Sequence, residues 1–309
     1  MKAIIMKSFG GPEVLRPADV PRPEPGPSEI LIRVVAASVN PVDYKIRTGA
    51  FRKEETHLPA VPGRDVSGVV EAAGKLIGGF KRGDEVYAYL AANSGGYAAF
   101  AVARQNEVAH KPASIDHLHA AAVPLAAVTA WQALFDHGRM QPGQRVLIHG
   151  AAGGVGHFAV QIAKAKGATI IATASAEDLD LLRNLGADQV IDHHAHAFEE
   201  EVRDIDLVID LVGGEAQRKS WQVLKDGGTL ISTIQPPSAA EAARRNARAE
   251  IFMAKPTTWM LTEIARMIDA GQVRVVVQKT YELDEAAKAQ DELEHLHSAG
   301  KRVLVVAET

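Results

Sequence analysis

Apolar and polar positions follow two different patterns along this chain, and the change falls near residue 118. Before it, short apolar runs at 30–37, 66–73, 85–89 and 97–102 are separated by Gly and Pro, as in Gly10-Gly11-Pro12 and the cluster Pro21, Pro23, Pro25, Gly26, Pro27. Many runs of strand length with such punctuation predict a small irregular β-barrel. Beyond it, an Ala-rich helical stretch runs from 118 to 135, and then strand and helix periods alternate. Strands are expected over 145–149, 169–173, 189–192, 206–210 and 228–233, with helices over 155–166, 176–185 and 215–224. Such alternation predicts βαβ units and a parallel sheet covered on both faces. The tail, 275–307, reads as strand, helix (284–298) and strand. Residues 238–250, rich in Ala, Arg and Glu, read as a helix or a surface excursion, and 250–253 as a short β-like run.

At 309 residues the chain exceeds what one core usually holds, so two domains are expected. A net charge of −4 and the lack of basic runs interleaved with aromatics give no reason to expect nucleic acid or a membrane surface as partner. Residues 1–6 are too short an apolar stretch for a signal peptide, and no segment approaches the roughly 20 apolar residues of a membrane span, so a cytoplasmic protein is expected. The chain has no cysteine. That excludes disulfides, thiol nucleophiles and thiolate metal sites, but it identifies no compartment.

Between the strand at 145–149 and the helix at 155–166 lies His149-Gly150-Ala151-Ala152-Gly153-Gly154-Val155-Gly156. A tight strand-to-helix turn needs unusual φ values, and side chains there would hold the backbone away from a pyrophosphate. The helix N-terminus that follows offers free N–H groups and a partial positive charge to phosphates. A merely glycine-rich connection would also turn the chain. The strand before, the helix after and the second strand on cue favour a dinucleotide, with Gly150, Gly153, Gly154 and Val155 as its cradle. About 20 residues past the first glycine, an acidic side chain would hold the ribose hydroxyls of NAD. Ala172-Thr173-Ala174-Ser175 stands there instead, small and neutral, with room for a 2′-phosphate beside Ser175. NADP(H) is therefore the expected cofactor. Glu177 and Asp178 follow; they either complete a capping box with Ser175 or repel that phosphate.

Of the twelve histidines, His193-His194-x-His196 is the densest group, and its spacing matches no recognisable ligand set. It reads as a solvated loop. His117-x-His119 and His295-x-His297 read as helix-surface residues.

Gly10-Gly11-Pro12-Glu13-Val14-Leu15, Val39-Asn40-Pro41-Val42-Asp43, Pro62-Gly63-Arg64-Asp65-Val66-Ser67-Gly68, Gly95-Gly96-Tyr97 and Thr129-Ala130-Trp131 follow one another in an order that resembles the medium-chain dehydrogenase/reductase superfamily. So do the glycine turn, Leu185-Gly186-Ala187-Asp188, Asp210-Leu211-Val212-Gly213-Gly214 and Gly300-Lys301-x-Val303. Within it the chain resembles the zinc-independent quinone oxidoreductase branch, which includes alkenal and enone reductases. The resemblance implies an α/β fold: a Rossmann domain with a parallel, doubly wound sheet inserted into a GroES-like β-barrel domain. Residues 1–118 with 275–309 would form the GroES-like catalytic domain, and 119–274 the Rossmann NADP-binding domain. A homodimer is implied by analogy, with 250–253 pairing across a two-fold. In zinc relatives the catalytic metal sits on Cys, His and Cys; the matching positions here carry Asn40, Arg64 and Leu125, so no metal is expected.

The implied chemistry is hydride transfer from NADPH to a small-molecule quinone or to the β-carbon of an α,β-unsaturated carbonyl (an enone). The acceptor oxygen gains negative charge and needs a donor aimed at it, with the reacting groups held in near-attack geometry. Asn40 should face the nicotinamide and donate to a carbonyl, or else cap the turn at Pro41. Tyr44 and Lys45 follow on a helical turn. Lys45 should bond the ribose, pair with Asp65 or donate to the acceptor oxygen, unless it is a surface lysine. Thr129 should approach the nicotinamide or its phosphate link, and Ile234 and Gln235 the carboxamide. Val212 and Gly213 should border the ribose and adenine side, and His193, where relatives often carry Tyr, the adenosine phosphate. Phe51, Tyr89, Phe252 and Trp259 are expected in an apolar acceptor pocket or in the core. Two other readings remain: an enoyl-thioester reductase, for which no basic patch is evident, and a nucleotide-binding sensor without turnover.

Overall fold

The long strand Glu29–Val39 is the spine of the first of two units into which the chain divides. The computed structural model describes every residue except 52, 92–94, 297–298 and 308–309. The first unit comprises Met1–Leu125, Pro256–Ala270 and Val275–Thr309; the second comprises Ala126–Lys255 and Gly271–Arg274.

In the first unit the spine pairs antiparallel with Asp65–Ala73, Phe100–Arg104 and Lys301–Val305. Asp65–Ala73 continues to Glu85–Tyr89 and then Val108–His110, while Val277–Glu282 lies parallel to Lys301–Val305. The spine reads Ile-Leu-Ile-Arg-Val-Val-Ala-Ala-Ser-Val because nearly every position is buried on one face or the other. Its side chains share a core with Ile4, Val66, Val86, Tyr97 and Leu304. The C-terminal strand thus completes a sheet begun near the N-terminus, as the GroES-like expectation requires.

The second unit is a six-stranded parallel sheet. Its spatial order is Gln189–Asp192, Thr169–Ala174, Arg145–His149, Ile205–Asp210, Leu224–Ser232, Arg248–Ile251. The strand order reverses between Arg145–His149 and Ile205–Asp210, which is the switch point of a doubly wound sheet. Val146, Leu147, Ile148, Ile170, Ile171, Val208 and Ile209 are buried, which explains strand runs with no polar alternation.

Several expectations change in detail. The helical stretch 118–135 divides into His117–Ala121, Pro124–Trp131 and a wider π turn at Gln132–His137. Residues 238–250 hold a helix, Ala239–Arg244, capped by Ser238, and then the sixth strand of the sheet. The helix Thr258–Asp269 was not anticipated, although Met260, Leu261, Ile264, Ala265 and Ile268 mark one buried face at helical spacing. The tail helix spans Ala286–His295; the expected end at Ser298, like His297, lies outside the described residues. His117 is not a surface residue. It is buried, with Nδ1 2.8 Å from Ser67 Oγ and Nε2 3.3 Å from Glu85 Oε1. Among the described residues no helix is long and apolar enough to cross a membrane.

Candidate functional site

The glycine turn follows the strand Arg145–His149, beside the switch point. Gly150 has φ of +67°, a conformation glycine adopts without strain. A Cβ on Gly156 would come within 2.3 Å of Gly150 O and 2.6 Å of Ala151 Cα, so the helix Gly156–Ala165 starts this close to the strand only because position 156 has no side chain. Gly153, Gly154 and Val155 line the turn half-buried. A Cβ on Gly150 would approach Val212 Cγ2 at 3.0 Å, and one on Gly213 would meet Ile234 Cγ2 at 3.0 Å and Gln235 Oε1 at 3.2 Å. Three segments at the carboxyl ends of neighbouring strands therefore form one rim, with Val212 and Ile234 exposed on it. A rim that a Cβ on Gly150, Gly156 or Gly213 would crowd, next to a helix N-terminus, suits the pyrophosphate of a dinucleotide.

Asp210 organises that rim, and its role was not anticipated. It is fully buried at the end of the strand Ile205–Asp210. Oδ1 accepts from the backbone N–H of Val212 (3.1 Å) and Gly213 (2.7 Å). Oδ2 accepts from Gln217 Nε2 (2.9 Å) and Ser232 Oγ (2.8 Å). Ser232 Oγ in turn accepts from the N–H of Ile234 (3.1 Å) and Gln235 (3.3 Å). The signal in the sequence is an acid closing the run Ile-Asp-Leu-Val-Ile-Asp just before Val212-Gly213.

The end of the second strand is shaped by His149. Its Nε2 lies 2.9 Å from Ser220 Oγ and its Nδ1 2.9 Å from Thr173 Oγ1. Ser220 donates its proton to Ala216 O at 2.7 Å, so it accepts from Nε2–H, and Nδ1 accepts from the Thr173 hydroxyl. His149 is a neutral imidazole with both nitrogens satisfied, and burial pushes its pKa down to about 4. The Thr173 hydroxyl consequently faces inward. Ser175 makes no side-chain cap, and the segment begins as a 3₁₀ turn at Ala176–Asp178, so the capping-box reading does not hold. Glu177 is exposed and Asp178 buried. The His193 N–H donates to Ala174 O at 3.1 Å, which places it beside the strand end that carries Ser175. The rings of His193 and His194 are exposed and 4.1 Å apart. Thr129 is buried in the helix Pro124–Trp131.

In the first unit, Asn40 follows the spine strand as the cap of the helix Pro41–Arg47 and is 1% exposed. Its Nδ2 donates to Asp65 Oδ2 at 2.9 Å and its Oδ1 accepts from Lys301 Nζ. One N–H of the amide and its oxygen are thus engaged, which holds the Asn40 side chain in place. Asp65, fully buried, also accepts from Ser38 Oγ (3.1 Å) and the N–H of Leu125 (2.8 Å). Asn40 and Leu125, two of the positions matching zinc ligands, thus meet at a carboxylate. The cation beside Asp65 is Lys301, not Lys45 as one reading of Lys45 had it. Burial pushes Lys301 down and Asp65 up, and their mutual attraction opposes both shifts. Asp43 Oδ2 accepts from the Asn40 N–H (2.8 Å) and Tyr97 Oη (2.9 Å), which fixes the start of the helix Pro41–Arg47. Arg47, also buried, donates to Gly10 O, Gln290 Oε1 and Glu294 Oε2, and pins the same helix at its end. Tyr44 and Lys45 lie half-buried on this helix. Burial raises the Tyr44 pKa, helped by Glu294. Lys45 Nζ makes no ion pair or hydrogen bond among the described residues. The four aromatics do not act alike: Phe252 is buried and stacked on His137 at 4.2 Å, Tyr89 is buried, Phe51 half-buried and Trp259 exposed.

Residues 26–113 match the alcohol dehydrogenase GroES-like domain, and residues 185–304 match the family described as zinc-binding dehydrogenase. The quinone oxidoreductase of Mus musculus is 32% identical over 320 residues, covering 97% of this chain and 96% of that protein. Among solved structures, the quinone oxidoreductase from Coxiella burnetii superposes with a TM-score of 0.91 at 35% identity, covering 99% of each chain. The Escherichia coli quinone oxidoreductase complexed with NADPH superposes with a TM-score of 0.88 at 27% identity, covering 99% of this chain and 100% of that one.

Proposed function

Because this chain belongs to the quinone oxidoreductase-like family of medium-chain dehydrogenases/reductases, we propose that it is an NADPH-dependent reductase of quinones or α,β-unsaturated carbonyls that works without zinc. The observation that carries this reading is the single rim formed by the glycine turn, Val212–Gly213 and Ile234–Gln235 at adjacent strand ends. NADPH rather than NADH is supported by the small, neutral segment Ala172–Ser175 and by the NADPH complex of the Escherichia coli relative. The zinc-independent reading is supported by Asn40, Arg64 and Leu125 standing where zinc relatives place ligands. Among the described residues, no group of three or more His, Asp or Glu is arranged to hold a metal.

When bound, the reduced nicotinamide supplies a hydride from C4. Gly150, Gly153, Gly154 and Val155 take the pyrophosphate, Ser175 and His193 the adenosine end, Val212 and Gly213 the ribose and adenine side, and Thr129, Ile234 and Gln235 the nicotinamide end. In the first unit, Lys45 and then Tyr44 are the assigned donors to the acceptor oxygen, because Lys45 has an uncommitted ammonium. Asn40, held by Asp65 and Lys301, positions the start of their helix. A quinone or enone is the acceptor class, since either can take a hydride while its oxygen is stabilised by a single donor.

A steady-state assay of NADPH oxidation against a panel of quinones and alkenals tests the proposal. Acceptor-dependent oxidation is expected, and its complete absence alongside tight NADPH binding would turn the reading to a sensor. A homodimer is proposed with it, joined through the edge strand Arg248–Ile251, where Ile251 and the nearby Met253 are exposed. A monomer mass by light scattering would reject that assembly.

A further inference from the structure

Asp210, Gln217 and Gln235 form a relay whose polarity can be read from one end to the other. A carboxylate only accepts hydrogen bonds, so the Gln217 atom 2.9 Å from Asp210 Oδ2 is its amide nitrogen. The second proton on that nitrogen goes to Gln235 O at 3.1 Å. The Gln217 oxygen is left as an acceptor, and the Gln235 side-chain atom 3.1 Å from it is therefore Nε2. Gln235 Oε1 is consequently the end turned away from the relay. It lies where a Cβ on Gly213 would come within 3.2 Å of it, on the same rim as the exposed Ile234.

We propose that Asp210, acting through Gln217, fixes Gln235 so that its amide oxygen faces the cofactor, as an acceptor for the carboxamide N–H of the nicotinamide. This rests on the NADP(H) reading and deepens it. In a doubly wound sheet the second mononucleotide half binds at the strands that follow the switch point, here Ile205–Asp210 and Leu224–Ser232. Gln235 follows the second of them. An acceptor at that place suits a carboxamide and opposes a carboxylate, because the lone pairs of both would face each other. Gln235 is thus a specificity-determining residue and Asp210 the positioning residue behind it.

The test is calorimetric binding of NADP+ and of its acid analogue, in which a carboxylate replaces the carboxamide; no turnover is required. The wild-type protein is expected to bind NADP+ at least about tenfold more tightly than the acid analogue. In Gln235→Leu that ratio should fall several-fold toward one, and Asp210→Asn, which lets the relay adopt either polarity, should narrow it in the same direction. An equal weakening of both ligands in Gln235→Leu, with the ratio unchanged, marks a structural role only and overturns the proposal. A narrowed ratio in Gln235→Leu with none in a folded Asp210→Asn overturns the part given to Asp210. If the wild-type protein binds neither dinucleotide, the NADP(H) reading itself falls, and this inference with it.

Discussion

Lys301 Nζ lies 3.9 Å from Asp65 Oδ2, with the two side chains 3% and 0% exposed. Such a pair is costly to desolvate, and its partners are matched only while both are present. Lys301→Met is expected to cost about 3–5 kcal/mol at neutral pH, because Asp65 is left as an uncompensated buried charge. The double variant Lys301→Met with Asp65→Asn should cost less than the sum of its parts. Denaturant unfolding of the three variants measures both. A loss below about 1 kcal/mol in the single variant would mean the pair does not carry charge in the folded state.

Asp43 makes stability depend on pH in the opposite sense from an ordinary salt-bridged carboxylate. Burial pushes its pKa from 3.8 to about 6, while the hydrogen bonds from Asn40 and Tyr97 oppose the rise. The folded state therefore binds the proton more tightly than the unfolded chain. The contribution is fully present below pH 3.8 and is lost as pH rises through about 6, amounting to about 3 kcal/mol at 1.4 kcal/mol per unit. Asp43→Asn keeps an acceptor oxygen for Asn40 and Tyr97 and cannot titrate. Unfolding free energies at several pH values between 4 and 7 should show a smaller slope for the variant in the first unit, and equal slopes would remove Asp43 as the source.

The parallel sheet and its glycine turn were legible because apolar periodicity and glycine spacing are local properties. What makes the sites work was not. Asp210 looks like a boundary residue in sequence, since nothing local shows that four donors converge on it. His149 reads as the end of a strand, though it bridges Thr173 on the neighbouring strand and Ser220 on the helix Gly214–Val223. Asn40 was singled out by position, but its partner Lys301 lies 261 residues away, and only the antiparallel pairing of Val39 with Arg302 brings them together. Without that pairing, Lys45 was the nearer cation for Asp65. The helix Thr258–Asp269 is a different case: its buried face, Met260, Leu261, Ile264, Ala265 and Ile268, is present in the sequence pattern at helical spacing.

His149 acts on the second unit with the reverse sign. Its pKa is pushed down from 6.5 to about 4, so the folded state binds the proton less tightly than the unfolded chain. Stability is fully present above pH 6.5 and is lost as pH falls through about 4. Gln at this position keeps a donor for Ser220 and an acceptor for Thr173 without a titrating group. Emission from Trp131 and Trp221, both in the second unit, in a Trp259→Phe background should report acid unfolding at a lower pH in His149→Gln than in the parent. An unchanged acid midpoint would discard the assignment.

If Lys45 donates to the acceptor oxygen, its loss falls on the chemical step. Lys45→Met is expected to lower kcat by about 100-fold, the scale seen for one donor to a developing oxyanion, with KM for NADPH nearly unchanged. Steady-state kinetics with a quinone and an enone provide the split. A change confined to KM for NADPH would assign Lys45 to the ribose instead.

The tightest contact in the cofactor rim is at Gly156. Alanine at 156 would set its Cβ within 2.3 Å of Gly150 O and 2.6 Å of Ala151 Cα and Ala151 O, all of them backbone atoms that no rotamer change can move aside. The helix start must then shift outward, and with it the N–H groups that face the pyrophosphate. Gly153→Ala meets only Gly150 O, at 3.3 Å, and needs a displacement of a few tenths of an ångström. Gly156→Ala should therefore weaken NADPH binding by more than about tenfold and cost about 1–3 kcal/mol of stability, with a smaller effect at Gly153. Calorimetry and thermal unfolding of the two variants order the effects. Equal loss at both positions would show that affinity depends on the bare backbone surface rather than on where the helix begins.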